Sequence, residues 1–247
     1  MMSLSRMRYE LRLLGIGAVL LPLGVVAIYL GFSLMVHVGT LRQGGSPDWA
    51  DYQMARGLLA LLENGCSLAA GLLAAAVVHP DPMLETHLSL PTSYRATMCW
   101  RLGAMSVWAL AVAAATAWIV VGTDHWIVPV DQPLAQLTWL TPILWYIGLG
   151  ALLTLLLRSR VASSAILGMA WIAQFLFKNT FLHSQTLVRV YPFLTEELIP
   201  GITRANAPLW YAAWVQNRFI LLAMAVAMLT VASILLGRNE ALLSAES

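Results

Sequence analysis

Residues 134–157 read LAQLTWLTPILWYIGLGALLTLLL, 24 positions without one charged side chain. At 1.5 Å per residue such a run makes a helix of about 36 Å, enough to cross the roughly 30 Å hydrocarbon core of a bilayer. The same test finds uncharged runs at Leu13–Val36, Leu102–Thr123 and Phe219–Gly237. Two weaker stretches join them: Val161–Phe177, which is shorter, and Met54–Val78, which carries Arg56 near its start and Glu63 within it. The expectation is an all-α integral membrane domain over residues 1–247. Its six transmembrane helices fall at about 13–36, 54–78, 102–123, 134–157, 161–177 and 219–237.

Composition agrees with that reading. Of 247 residues, 60% are apolar and 11% charged, against about 45–50% and 25% in soluble domains. A mean hydropathy of +0.75 excludes a disordered chain. The 14 basic and 12 acidic residues are spread along the chain, so no basic cluster offers a nucleic acid a track. Cys66 and Cys99 lack CxxC spacing and read as small packing residues.

Orientation follows from the basic residues. Arg6, Arg8 and Arg12 precede the first span, Arg95 and Arg101 lie between spans two and three, Arg158 and Arg160 between four and five, and Arg238 after six. All fall on one side, while the opposite loop between spans three and four holds Asp124 and Asp131 and no base. The positive-inside rule then makes both termini cytoplasmic, in a cell membrane. Trp118, Trp126, Trp139, Trp210 and Trp214 fall where an outer aromatic belt would lie. The first run is too long for a signal-peptide core and is expected to stay as an anchor.

The external connection from Lys178 to Arg218 is too long and too apolar for a plain linker. Leu182, Leu187, Val188, Val190 and Tyr191 precede Pro192; Phe193, Leu194, Leu198 and Ile199 precede Pro200. Two short helical pieces broken by proline fit this pattern, either as an external re-entrant helical hairpin packed on the bundle or as an amphipathic loop on the outer surface.

Catalytic signatures fail. The pair Glu196 and Glu197 lacks the arginine of an EExxxR protease motif, because Gly201 stands in its place. Five histidines sit in separate loops without HExxH spacing, which leaves no metal set. The only lysine, Lys178, lies between Phe177 and Asn179 rather than in a phosphate-binding loop. The chain is therefore read as a non-enzyme that binds no cofactor.

Glu63 is the acid within a span. A carboxylate at a helix centre costs on the order of 2.5–3.5 kcal/mol, so Glu63 is expected to face protein or water. It either lines a pathway, with Asn64, Gln174 and Lys178 as the other polar candidates, or hydrogen-bonds a neighbouring helix, or, if the span is shifted, sits nearer the outer headgroups.

The loop after span two reads HPDPMLETHLSLPTSYR, residues 79–95. Pro80 and Pro82 stop the span, Glu85–Leu90 can form a short helix, Pro91 ends it, and Thr92 or Ser93 can cap the next helix. Taken alone, this is either a lever that a soluble partner grips or an ordinary amphipathic connector. Glu85-Thr-His-Leu-Ser-Leu-Pro91-Thr-Ser resembles the cytoplasmic loop of ABC-2 type transporter permeases. Six helices, cytoplasmic termini, a long external segment before the last helix, and the ending Asn217-Arg218-Phe219 through Leu243 are similar to that family over nearly the whole chain. Where family members carry a basic, glycine-containing turn, this chain has His79-Pro-Asp-Pro82.

The resemblance implies the permease subunit of an exporter. ATP and Mg would be bound and ATP hydrolysed in a separate ATP-binding subunit. The short helix would be a cytoplasmic coupling helix, contacting that subunit through Glu85, Leu88, Leu90, Pro91, Thr92, Ser93 and Arg95. A second copy or a paralogue would complete the pathway, with the small-residue face at Gly148, Gly150 and Ala151 as one meeting surface. The alternative from another class is a membrane anchor or assembly subunit that holds a soluble partner and moves nothing. Buried polar residues favour transport over anchoring.

Overall fold

A computed structural model describes residues 4–78, 94–195 and 207–245, and all regular structure among them is helical. The longer helices are α1 (Leu4–Arg42), α2 (Pro47–Ala60), α3 (Cys66–Val77), α4 (Tyr94–Gly122), α5 (Leu137–Leu157), α6 (Arg160–Leu176), α7 (Lys178–His183) and α8 (Ala207–Ala245), with a four-residue helical turn at Gln132–Ala135 before α5. A π-helical turn, Leu61–Gly65, joins α2 to α3 in one rod, and Leu187–Val190 forms a 3₁₀ turn. Among the described residues, five rods are long and apolar enough to cross a membrane: Ile16–Arg42, Pro47–Val77, Arg95–Gly122, Pro133–Leu157 and Leu209–Gly237. The expected fifth span forms as α6, whose 17 residues fall short of the roughly 20 that a span needs.

Local chemistry sets the joints. Ser46 caps α2 by accepting from the Trp49 N–H at 3.3 Å, with Pro47 in the first turn where its missing donor costs nothing. Ser159 caps α6 in the same way through Ala162. Between α5 and α6 the chain reverses sharply, because Arg158 takes a left-handed conformation with φ 50°.

Packing contacts give the directions. Ser33 of α1 meets Gly57, and Tyr29 and Val25 meet Gly65, so α1 runs antiparallel to the α2–α3 rod. Gly71 and Gly150 touch, and Thr154 Oγ1 reaches the Ala75 carbonyl at 3.4 Å, so α3 and α5 run parallel. Val78, Ala151 and Ala232 share one cluster. Gly148 lies against Ala225 and Met228, which aligns α8 with α5. α4 runs the other way, with Met98 against Leu236 at its start and Ala117 and Val120 in the cluster of Leu58 and Leu61 at its end. The α2–α3 rod is the centre, 83% buried over its apolar window, while α1 is 11% and α8 22% buried.

Four sequence expectations change here. The last helix begins at Ala207 rather than Phe219, so Asn217 and Arg218 are helical and buried rather than parts of an external connection. The small-residue face at Gly148, Gly150 and Ala151 is used within the chain, because glycine alone lets α5 approach α3 and α8 this closely. Of the expected aromatic belt only Trp118 is well exposed; Trp139, Trp210 and Trp214 are buried. Cys66 packs inside as expected, whereas Cys99 is exposed. The coupling segment through Ser93 and the hairpin's second limb from Glu196 lie outside the described residues.

Candidate functional site

The central rod changes winding where its acid sits. Over Leu61–Gly65 the Cys66 N–H donates to the Leu61 carbonyl five residues back, the π pattern. All five residues are buried. Trp171 Nε1 of α6 donates to the Asn64 carbonyl at 3.3 Å, and Ser67 Oγ donates to the Glu63 carbonyl at 2.7 Å. Single π turns are rare and concentrate at functional sites.

Glu63 is paired. Its Oε1 accepts from Arg218 Nη2 of α8, and from the Thr195 backbone N–H at 3.1 Å. Both ionic side chains are wholly inaccessible. Arg218 also donates through Nη1 to the Pro192 carbonyl at 2.9 Å and through Nη2 to Thr195 Oγ1. Trp214 Nε1 donates to the same hydroxyl at 2.9 Å, and the indole lies under the guanidinium, 5.6 Å from its carbon to the ring centre. Asn217 Nδ2 donates to the Val188 and Tyr191 carbonyls, each at 3.0 Å.

Trp214, Asn217 and Arg218 stand at i, i+3 and i+4, on one face of α8. They grip Val188–Thr195, a stretch whose own backbone bonds are few. Irregular backbone inside a core needs such donors, because an unpaired buried carbonyl or amide costs about 1–3 kcal/mol. The other flank of the stretch is aromatic. Phe193 lies 6.0 Å from Tyr146 and 5.7 Å from Phe175 between ring centres, and Tyr191 lies 5.3 Å from Phe181. Tyr146 donates its hydroxyl to Gln174 Oε1 at 2.8 Å.

Of the sequence candidates, Glu63 and Gln174 reach the Val188–Thr195 stretch, Glu63 through Thr195 and Gln174 through Tyr191, while Asn64 meets Trp171 of α6 through its backbone carbonyl. Lys178 opens α7 in a half-buried position. Arg95 stands apart from the ion pair and ties α4 to α8, donating from Nη2 to Ser233 Oγ at 2.9 Å. Sequence reasoning missed Arg218, Thr195, Trp214 and Asn217. The available signal was charge balance: one acid inside a span and one base heading another uncharged run are a natural buried pair.

The site has the chemistry of a joint. Among the described residues no group of three or more His, Cys, Asp or Glu could hold a metal ion. The ion pair binds three segments that are remote in sequence: the central rod, the Val188–Thr195 stretch and α8. No family model, curated protein or solved structure matches the chain.

Proposed function

We propose that this chain is the membrane-spanning permease subunit of an ABC-2 type exporter in the cell membrane, moved by a separate ATP-binding subunit and paired with a second permease. The residue order of the 85–93 loop and the five membrane-length helices support the class. So do the broad apolar surfaces: Ile16, Ile28, Trp118 and Leu209 are highly exposed and need lipid or protein to cover them.

The observation that favours transport over anchoring is the buried Glu63–Arg218 pair. A buried ion pair is a poor way to add stability, since apolar residues of similar volume do as well or better. An anchor has no use for one. A transporter uses a joint that holds one packing of its helices against another and can be remade. In this reading α6 is a short fifth span, and Lys178–Thr195 turns back into the membrane at its outer side. The hydrolysis of ATP, with its Mg, stays in the partner, which grips Glu85, Leu88, Leu90 and Pro91.

Affinity purification of the full chain from gently solubilised membranes tests this. An ATP-binding subunit of the ABC type is expected in stoichiometric amount, and its absence overturns the proposal. Glu85→Arg should lower the recovery or the ATP turnover of that subunit at an unchanged permease level. Normal recovery and turnover in both Glu85→Arg and Leu88→Asp would remove the coupling role.

A further inference from the structure

α5 carries two buried hydroxyls that the joint does not use. Thr138 and Thr141 are wholly inaccessible, and neither Oγ1 has a hydrogen-bond partner among the described residues. The ordinary solution for a helical threonine is to donate to the carbonyl four residues back, as Thr116, Thr123, Thr154 and Thr230 do. Thr138 and Thr141 do not take it. Arg218 has the complementary need. Its Nη1 and Nη2 are bonded, whereas Nε is buried and has no partner among the described residues. Buried polar atoms in native proteins are nearly always hydrogen-bonded, to protein or to ordered water.

The register of α5 against α8 brings these atoms to one place. Leu137 packs on the cluster of Trp210 and Trp214, and Gly148 meets Ala225 and Met228. Positions 137, 141, 144 and 148 follow the i, i+4, i+7, i+11 spacing of a single helix face, so Thr141 is on the face that meets α8. Thr141 stands seven residues, two turns, before Gly148, and Arg218 stands seven before Ala225. Because the two helices run in the same direction, Thr141 lies level with Arg218. Thr138, three residues earlier, adjoins Thr141 with about 5–6 Å between their Cβ atoms.

We propose that one water molecule is bound between α5 and α8, accepting from Arg218 Nε–H and hydrogen-bonded to Thr138 Oγ1 and Thr141 Oγ1. Three polar partners are the number that a buried water ordinarily takes. Water suits this set because it accepts from the guanidinium while either donating to a hydroxyl or accepting from one. An anion suits it less, since Glu63 already neutralises Arg218. The water completes the hydrogen bonding of the guanidinium without adding a protein group to the joint, and it does so whatever the chain transports.

Water-edited solid-state NMR of the full chain in lipid bilayers tests this. Magnetisation from water should reach the Thr138 and Thr141 methyls and should not reach the Ala113 methyl, which is buried in an apolar cluster. Thr141→Val keeps the shape and deletes the hydroxyl. It should abolish the transfer at Thr138 and lower the thermal midpoint by about 2–8 °C, because Arg218 Nε loses its partner. Thr141→Ser keeps the hydroxyl and should keep the transfer at Thr138. A hydroxyl that truly lacks a partner predicts the opposite sign, a higher midpoint in Thr141→Val. Dry threonines in the unaltered chain, or an unchanged or raised midpoint in Thr141→Val, would overturn the inference. So would a midpoint that rises with sodium chloride in the unaltered chain and not in Thr141→Val, which would assign the site to chloride. Should Thr141→Val fail to fold, the transfer in the unaltered chain decides alone.

Discussion

Removing one partner of the Glu63–Arg218 pair leaves the other charge buried without its counterion. Glu63→Leu should therefore destabilise the chain by about 3–5 kcal/mol. The readout is loss of monodisperse protein in detergent gel filtration. Glu63→Leu combined with Arg218→Met removes both charges and should restore much of the folded yield. If the pair is a working joint, the double variant still fails to support transport-coupled ATP turnover; full turnover would reduce the pair to packing. Trp214→Phe keeps the ring under Arg218 but deletes the donor to Thr195. Its cost should be about 1 kcal/mol, visible as a small drop in thermal midpoint. Glu63 is legible in the sequence as a charge inside an apolar run. Its partner is not, because uncharged residues begin only at Phe219, and that makes Arg218 read as a flank. Thr195 is illegible for a different reason: its role is carried partly by a backbone N–H, which every residue but proline has.

Elements follow the apolar runs wherever a run is long and unbroken. The runs that begin at Leu13, Leu102 and Leu134 all lie mainly within single helices. Reading fails at ends, since a helix continues through polar residues when a neighbour satisfies them. α8 begins at Ala207, well before its uncharged run, because Trp214, Asn217 and Arg218 find partners in Val188–Thr195. The close approach of α3 and α5 gives a sharp test. A methyl at Gly150 would meet the Gly71 carbonyl oxygen, a backbone atom that cannot swing aside. Gly150→Ala should cost about 1–3 kcal/mol and lower the thermal midpoint. Gly103 of α4 has nothing within 4 Å of that position. Gly103→Ala should raise stability by roughly 0.5–1 kcal/mol through helix propensity alone. Equal effects at the two sites would mean that the α3–α5 contact is looser than described.

At the scale of the whole molecule, the rods run in two directions: α2–α3, α5 and α8 one way, α1 and α4 the other. That arrangement puts the α1–α2 joint and the loop after α4 at one end of the bundle, and the basic Arg95 and Arg158 at the other. Labelling tests the assignment of sides. In a background without Cys66 and Cys99, a cysteine at Asp131 should react with an impermeant thiol reagent applied outside intact cells, and one at Ser89 should not. The reverse pattern would invert the proposed orientation.

The ion pair also imposes a schedule on synthesis. Glu63 and Arg218 are 155 positions apart. At about 5–20 residues per second the ribosome needs roughly 8–31 s to make the second after the first. Through that interval the central rod is already made, while the helix that will neutralise it does not yet exist. The nascent chain must hold an acidic residue in company other than its final one, whether insertion machinery, headgroups or water. Chains cut short before α8 should accordingly be cleared quickly by membrane quality control, although every earlier helix is present.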